Sequence, residues 1–345
     1  LLCSLNLNAQ KHDYNIILGD IIVDNNIKFN NGLLLDFKNN NLTQSKFKLP
    51  MSIVDCVMSD IDGNLLFYTN GCFIANRNHA QMLNGDSINW DNSDHLMWSK
   101  YCNAKNGLFY NSFNLSLPDP YHLDKYYVYS YLVDYNTYFV KLFQTTIGMK
   151  KDNGLGMVVE KNKIIAIDTF SSEHVPLACK HGNGKDWWVV IPNFTPRDTS
   201  KWDNTFSFFL LNQNGINFHH KQNIGTKWGT WPWNGQSNFS PDGTKFARYN
   251  PYNGLEIFEF DRCNGYFSNP KKIYLPNSPR IDPWNSDDGK IDTGFIFGGL
   301  SFSPNSKLLY VSTAPIMYQF NLEATDISNS RVLVGSYDTK MYPIY

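Results

Sequence analysis

Several features that define other protein classes are missing from this sequence of 345 residues. No stretch of eighteen apolar residues occurs, which excludes a membrane-spanning helix in this sequence. The formal net charge is −1 and no long basic run occurs, so the charge pattern of a nucleic-acid-binding protein is absent. The six cysteines include no C-x-x-C pair, which argues against a zinc site with closely spaced ligands. The sequence also contains no H-E-x-x-H motif, no P-loop and no nucleophile elbow.

The composition favours β-strands. Hydrophobic residues make up 42% of the chain and charged residues 18%, which is enough apolar material for a buried core. Aromatic residues reach 15%, with 20 Tyr, 24 Phe and 9 Trp. Aromatic and β-branched side chains suit the pleated, half-buried surface of a sheet. Because helical periodicity is absent over any comparable window, we predict an all-β protein.

The strongest signal is an internal repeat, in which a tight turn is followed by an apolar strand. Five such segments begin at residues 62, 123, 183, 242 and 305, so the steps between them are 61, 60, 59 and 63 residues. Three of the turns contain Asp-Gly or Asn-Gly, which tolerate the positive φ that a tight hairpin requires. A short strand of small and apolar residues precedes the turn, as at residues 298–303. This even spacing indicates one structural unit used repeatedly.

A unit of this length accommodates four short strands and their loops. Such units repeated radially form a β-propeller, where small residues suit the crowded first strand of each blade. The alternative, an array of two-sheet sandwiches, predicts less even spacing. We therefore predict a β-propeller with four-stranded blades of about sixty residues. The blades should centre on the turns at Gly63, Asp124, Gly184, Gly243 and Ser306.

The residues around these turns also carry a family resemblance. At residues 59–71 and 76–79 the chain resembles the exported, WD-repeat-like β-propeller proteins of Bacteroidota, many of which end in a type IX secretion sorting domain. The resemblance continues at residues 180–188, 239–243 and 300–305, and so covers nearly the whole chain. Its motifs are specific for the family and not for a function. The resemblance implies export by the type IX route, although the sorting domain itself is absent from this sequence.

The two ends of the chain carry separate predictions. Residues 1–9 are typical of the end of a signal peptide that is cleaved after Ala9, and an ordinary first strand is the alternative. Residues 10–345 then form the propeller domain, in which a hairpin-like pair at 15–20 and 32–37 precedes five recognisable blades. A sixth turn would fall beyond Tyr345, so we expect the propeller to be incomplete at its C-terminus, with its last blades missing.

An exported protein also meets an oxidising compartment. The five cysteines that follow residues 1–9 are widely scattered along the chain. We expect them to be buried free thiols, with one disulfide as the alternative.

Two loops are candidates for ligand binding. The Trp-rich loop (residues 225–236) contains Trp228, Trp231 and Trp233 and directly precedes the first strand of a blade, next to the mouth of the predicted channel. Exposed aromatic rings stack on sugars or anchor a protein partner, whereas packing between blades is the alternative. The Asp-rich loop (residues 281–289) places Trp284 at the corresponding blade position. We predict these four tryptophans as ligand-binding residues, with at least one ring of the Trp-rich loop exposed.

Acidic side chains offer a weaker metal-site candidate. Four carboxylates could supply the oxygen ligands that Ca²⁺ prefers: Asp282, Asp287, Asp288 and Asp292. Their spacing fits no EF-hand loop, so a solvated acidic loop is the favoured interpretation. Residues 60–64 look similar, but there Asp and Asn serve a hairpin turn without a metal. We therefore expect no cofactor, with Ca²⁺ as the one alternative.

Histidines offer a weak catalytic candidate. Glu173 and His174 directly precede the predicted strand at residues 175–179, where they would form an acid–base pair at the channel mouth. His219 and His220 form a second conspicuous pair, and His181 belongs to a turn and is interpreted as structural.

These features indicate a secreted or cell-surface protein that binds rather than catalyses. The leading interpretation is an extracellular binding or adhesion module that recognises a glycan or a protein through loops on one propeller face. The alternative is a secreted hydrolase or lyase that acts on a polysaccharide, with Glu173 and His174 as acid and base. A purely structural module of a larger surface protein is the third interpretation. The type IX secretion machinery is a partner by resemblance, and neither nucleic acid nor a membrane is expected to be one.

Overall fold

The computed structural model describes residues 14–24, 26–38, 41–49, 51, 56–90, 98–99, 102, 114–134, 137, 139–171, 176–193, 203–228, 235–251, 253–275, 298–313 and 316–336. The chain divides into two compact units, Leu1–Ile167 and Asp168–Tyr345, and each unit is described by itself.

The described part of the first unit contains three antiparallel sheets, which we call blades 1 to 3 in chain order. Blade 1 consists of β1 (Asn15–Asp24), β2 (Asn26–Asp36) and β3 (Thr43–Phe47). Blade 2 consists of β4 (Cys56–Ser59), β5 (Leu65–Thr69) and β6 (Ile74–Asn76). Blade 3 consists of β7 (Asn114–Pro118), β8 (Lys125–Val133), β9 (Val140–Gly148) and β10 (Met157–Asp168).

The described part of the second unit contains blades 4 to 6, each with four strands in the order of the chain. Blade 4 consists of β11 (Leu177–Lys180), β12 (Trp187–Pro192), β13 (Asp203–Asn212) and β14 (Gly215–Trp228). Blade 5 consists of β15 (Gln236–Phe239), β16 (Lys245–Asn250), β17 (Gly254–Asp261) and β18 (Tyr266–Ile273). Blade 6 consists of β19 (Gly298–Phe302), β20 (Leu308–Thr313), β21 (Ile316–Asn321) and β22 (Val332–Ser336).

The fold is all-β and has the six successive blades of a β-propeller, as counted over the described residues. This confirms the predicted all-β propeller, and four of the blades have the predicted four strands. The predicted incompleteness at the C-terminus stays a prediction. The N-terminal pair predicted at residues 15–20 and 32–37 lies in β1 and β2, which pair with each other and, through β3, form a blade of their own. No helix in the described ranges has the length and hydropathy that a membrane span requires.

The five turns predicted from the repeat all connect the first two strands of a blade. Gly63, Gly184, Gly243 and Ser306 take φ values of 85°, 74°, 69° and 60°, the left-handed region that the Asp-Gly and Asn-Gly signals indicated. The turn before β8 is longer and is closed by a hydrogen bond from the Asp119 N–H to the Lys125 carbonyl. The sequence repeat therefore marks the first hairpin of blades 2 to 6.

Blade 2 has three strands where four were predicted. After β6 the chain turns back along it, because Gln81 forms an isolated bridge to Ala75, and the Met82 N–H and the Gly85 carbonyl both bond to Ile74. Leu83 also forms a parallel bridge to Met157 in blade 3. The segment thus divides its backbone bonds between its own blade and the neighbouring one. A disulfide between Cys72 and Cys102 also holds this region, so one disulfide is present where free thiols were the favoured expectation.

Apolar side chains from neighbouring blades form the cores of both units. In the second unit, blades 4 and 5 share an aromatic cluster that includes Trp188, Phe206 and Phe267. Blades 5 and 6 share an aliphatic and tyrosine-containing cluster that includes Leu255 and Val311. The first strands of successive blades in this unit, β11, β15 and β19, lie next to one another.

Candidate ligand-binding face

The two candidate loops occupy equivalent connections in the fold. The Trp-rich loop joins β14, the last strand of blade 4, to β15, the first strand of blade 5. The Asp-rich loop lies in the corresponding connection from β18 to β19. The structure therefore supports the predicted equivalence of the two loop positions.

Most of the predicted site residues lie outside the described residues, and their roles stay predictions. They are Glu173, His174, Trp231, Trp233, Asp282, Trp284, Asp287, Asp288 and Asp292. Among the predicted site residues, Trp228 is the one that the structure describes.

Both loops connect to the same end of the blade 5 sheet, where β16 ends and β17 begins, and we call this end the edge of blade 5. Gln236, where the Trp-rich loop enters β15, pairs with Tyr249 near the end of β16. Across the sheet, the end of β16 pairs with the start of β17, and Leu255 near that start pairs with Ile273 at the end of β18. The Trp-rich loop therefore arrives at the edge from which the connection containing the Asp-rich loop departs.

The first four residues of the Trp-rich loop, 225–228, form the end of strand β14. Gly225 has a φ of 79°, and a Cβ atom at this position would lie 2.7 Å from Glu256 Oε1 and 2.8 Å from the Phe258 ring. Glycine therefore permits β14 to approach blade 5 closely. As a consequence, the backbone N–H of Thr226 donates a hydrogen bond of 2.7 Å to Glu256 Oε1.

A buried ion pair lies beneath this edge. Arg248 on β16 donates from Nε (2.9 Å) and Nη2 (2.6 Å) to Glu256 Oε2 on β17. The residues are 4% and 1% exposed, respectively. Arg248 Nη2 also donates to the Thr226 carbonyl at 2.7 Å, so the pair fixes both backbone polar groups of Thr226. Charge-assisted bonds of this kind are short and directional, which holds the end of β14 in one position.

Trp228 is buried, so it is not the exposed ring predicted for this loop, and that prediction now concerns Trp231 and Trp233, which lie outside the described residues. It is 4% exposed, and the Arg248 guanidinium carbon lies 4.2 Å from its ring centroid. Its indole N–H donates to Thr226 Oγ1 at 3.3 Å. The ring is buried because it stacks on the guanidinium, a cation–π contact that also shields the ion pair from water. Trp228 therefore packs between blades, the alternative considered for this loop, and a direct contact with ligand is not expected from it.

Two side chains on β18 and just beyond it reach the surface beside Trp228. Lys272 Nζ donates to Thr226 Oγ1 at 3.0 Å and lies 5.9 Å from the Trp228 ring centroid. Its distance to the Tyr274 ring centroid is 5.5 Å, and Tyr274 is 58% exposed. Burial lowers the pKa of Lys272 to about 8; Glu256 opposes this effect and Arg248 adds to it. A half-buried cation and an exposed ring thus lie together beside the end of β14.

Sequence reasoning missed Arg248, Glu256, Lys272 and Tyr274. The signal for Arg248 was present in the repeat, because the third residue after the closing residue of the turn is Val189 in blade 4, Arg248 in blade 5 and Val311 in blade 6. A charge in an otherwise apolar repeat position marks a departure that was visible without the structure. Lys272 and Tyr274 had no comparable signal, since lysine and tyrosine are ordinary residues in an outer strand.

The remaining histidine and turn residues serve structure. The Asp60 carboxylate accepts hydrogen bonds from the backbone of Asp62 and Asn64, as interpreted for this turn. His181 Nδ1 accepts from the Asn183 N–H within its own turn. His219 Nδ1 lies 2.7 Å from His220 Nδ1, and the His220 ring stacks between Phe208 and Tyr266. These rings contribute to packing between blades 4 and 5.

No group of three or more His, Cys, Asp or Glu side chains suited to a metal ion occurs in the part of the chain that the structure describes. The Ca²⁺ alternative at the Asp-rich loop is untested, because its carboxylates lie outside that part.

Comparisons with known proteins found only distant similarity to solved structures. No protein-family model matches it, and no curated protein matches it. One similar solved structure is a protein of unknown function from Desulfotomaculum acetoxidans, with a TM-score of 0.43 and 9% identity over 92% of this chain and 84% of that one. A Dos1 propeller gives a TM-score of 0.43 and 9% identity over 91% and 68%. A candidate 6-phosphogluconolactonase from Bacteroides fragilis gives 0.31 and 10% over 93% and 94%. At this distance, no activity or residue role transfers to this chain.

Proposed function

We propose that the protein is an exported binding module that recognises a glycan through the edge of blade 5 where the Trp-rich and Asp-rich loops meet. The observation that carries this proposal is the pairing of exposed Tyr274 with Lys272 at that edge. An exposed aromatic ring next to a hydrogen-bond donor suits a sugar, which presents an apolar face and a rim of hydroxyl groups.

The framework beneath this edge supports a binding role. The Arg248–Glu256 pair and the buried Trp228 ring hold the ends of β14 and β16–β18 together through directional contacts. Recognition sites gain affinity when the supporting residues are fixed before the ligand arrives. In this proposal Trp231, Trp233 and Trp284 supply further rings from the loops, while Trp228 supports them from below.

Export to an oxidising compartment is part of the proposal. The Cys72–Cys102 disulfide supports it, because such bonds persist outside the reducing cytosol. Transport by the type IX machinery and attachment at the cell surface are proposed from the family resemblance alone. Fractionation of the producing cells, followed by alkylation of free thiols, would test this part. Protein found inside the cell with Cys72 alkylated would overturn it.

A glycan array probed with the full chain tests the proposed function. We expect Tyr274→Ala to weaken binding roughly 5- to 100-fold, since stacking and loss of one aromatic anchor cost about 1–3 kcal/mol. Tyr266→Ala is the matched control, because Tyr266 is a half-exposed tyrosine at the other end of β18. Its binding should match that of the unchanged protein.

Three outcomes would contradict the proposal. The full chain binding no glycan on the array is the first. Equal losses for Tyr274→Ala and Tyr266→Ala are the second, because they would indicate a general effect on folding. Binding that is confined to a protein partner is the third, and it would make protein recognition the function of this edge.

A further inference from the structure

The charges beneath the binding edge do not balance. Arg248 and Lys272 are two cations in one partly dehydrated cluster, and Glu256 is the carboxylate that faces them. Both of its oxygens are already used, since Oε2 accepts twice from Arg248 and Oε1 accepts from the Thr226 N–H. Among the described residues, no carboxylate forms an ion pair with Lys272. Counted over the described residues, the cluster therefore carries one excess positive charge.

The excess charge is located at Lys272 and is open to a ligand. An ammonium group has three N–H donors, and among the described residues Thr226 Oγ1 is the acceptor of one of them. Desolvation makes an unpaired cation costly, so a half-buried lysine gains more from an incoming anion than an exposed lysine does. Two rings lie near the ammonium group, with the Tyr274 centroid at 5.5 Å and the Trp228 centroid at 5.9 Å from its nitrogen.

From this geometry we infer that the ligand is an acidic glycan, whose carboxylate or sulfate group binds Lys272 while a sugar ring stacks on Tyr274. This inference rests on the proposed function and adds the chemical class of the ligand. The surroundings favour the same charge, because the exposed side chain of Lys227 adjoins this edge on β14.

The test compares acidic and uncharged glycans on one array that carries carboxylated, sulfated and neutral sugars. The unchanged protein should retain acidic glycans at least roughly tenfold more strongly than neutral ones, and Lys272→Gln should weaken acidic binding roughly 10- to 100-fold, the value of a hydrogen bond to a charged group. Lys271→Gln is the matched control, since it removes the same charge from the next, exposed residue of the strand. Its effect should stay within about threefold, as for a screened surface charge.

A pH series separates charge recognition from a merely structural role. The groups that face Lys272 are Glu256 on β17, Arg248 on β16 and Tyr274 beyond β18, and β14 contributes the uncharged Thr226 and Trp228. Because the pKa of Lys272 is about 8, acidic-glycan binding should fall above pH 8 by up to roughly tenfold per pH unit. Lys272→Arg keeps its charge throughout, so its binding should be independent of pH from 7 to 10.

The outcomes distinguish the two proposals. No binding to any glycan overturns the proposed function together with this inference. Equal binding to neutral and acidic glycans, with Tyr274→Ala still weakening it, overturns the inference and leaves the proposed function. A triple variant, Asp282→Asn with Asp287→Asn and Asp288→Asn, completes the test. If acidic glycans bind only to this variant, the Asp-rich loop already neutralises Lys272 and the inference is wrong.

Discussion

The two blade interfaces of the second unit bury different pairs of side chains at one equivalent position. At the same cross-strand position, blade 6 pairs Val311 with Tyr318, and blade 5 pairs Arg248 with Glu256. All four side chains are buried. Next to the blade 6 pair, the end of blade 5 contributes Ile273 and Leu275, so the pair lies in an apolar cluster. Next to the blade 5 pair, the end of blade 4 contributes Thr226 and Trp228.

This difference indicates which interface serves more than stability. Apolar pairs stabilise a fold through burial and close packing, and the Val311–Tyr318 pair does so within the apolar cluster that blades 5 and 6 share. A buried ion pair contributes little net stability, because the loss of hydration opposes the attraction. What the pair adds is direction, since it fixes the Thr226 backbone and the Trp228 ring at the end of β14. We therefore attribute its presence to positioning of the binding edge.

The largest expected effect follows from placing a charge in the apolar interface. Val311→Arg buries a guanidinium with no carboxylate partner and also overfills the site, which should cost about 4–8 kcal/mol of the free energy of unfolding. Met317→Arg is the control, because Met317 lies on the neighbouring strand and is partly exposed. Chemical denaturation would measure both. If the Val311→Arg protein were as stable as the control, the blade 5–6 interface would tolerate a buried charge as well as the blade 4–5 interface does.

Removing one partner of the ion pair should have the next largest effect. Glu256→Ala leaves Arg248 buried and unpaired, and we expect a loss of about 3–5 kcal/mol in the free energy of unfolding. Glu259→Ala, an exposed position on the same strand, should change it by less than about 0.5 kcal/mol. Losses of equal size for the two variants would mean that the pair is not the determinant of this interface.

Replacing both partners separates stability from positioning. Arg248→Met combined with Glu256→Leu makes the interface apolar, and the free energy of unfolding should return to within about 2 kcal/mol of the unchanged protein. Glycan binding should nevertheless fall at least roughly tenfold, because Thr226 and Trp228 lose their fixed position. A double variant that binds as well as the unchanged protein would assign the ion pair a purely structural role.

The sequence predicted the first hairpin of five blades because turn chemistry is local. The turns at Gly63, Gly184 and Gly243 require positive φ, which favours glycine there, so the spacing of these glycines revealed the repeat directly. The three-stranded blade 2 was not predictable in this way. After β6, residues 81–85 bond partly to β6 and partly, through Leu83, to blade 3, and a contact between blades leaves no mark on turn spacing.

The binding edge was predicted only in part for a related reason. The repeat placed the Trp-rich and Asp-rich loops at equivalent connections, and the structure agrees. In the sequence, however, Trp228 cannot be distinguished from its neighbours Trp231 and Trp233. Only the position of Arg248 in the structure shows that the Trp228 ring is stacked and buried. The pairing of Lys272 with Thr226 joins residues 46 positions apart in different blades, which no local pattern reveals.

The smallest expected effect is a pH dependence that is specific to the blade 4–5 interface. Burial lowers the pKa of Lys272 to about 8 in the folded state, below the ordinary value of 10.5 in the unfolded chain. Between these two values the unfolded state binds more protons, so the stability contribution of Lys272 rises with pH from about 8 to 10.5. Below pH 8 the folded protein retains the full cost of the half-buried ammonium group. Because solvent screens a group this exposed, we expect a gain of only about 1–2 kcal/mol.

Lys272→Met removes this titration, so the comparison of the two proteins isolates it from other groups. The free energy of unfolding of the unchanged protein should rise relative to that of Lys272→Met between pH 8 and 10.5. Lys271→Met is the control, and its difference from the unchanged protein should be flat over the same range, since Lys271 is exposed. A flat difference for Lys272→Met as well would show that Lys272 is not desolvated in the folded protein. It would then offer an anion no advantage over any other surface lysine.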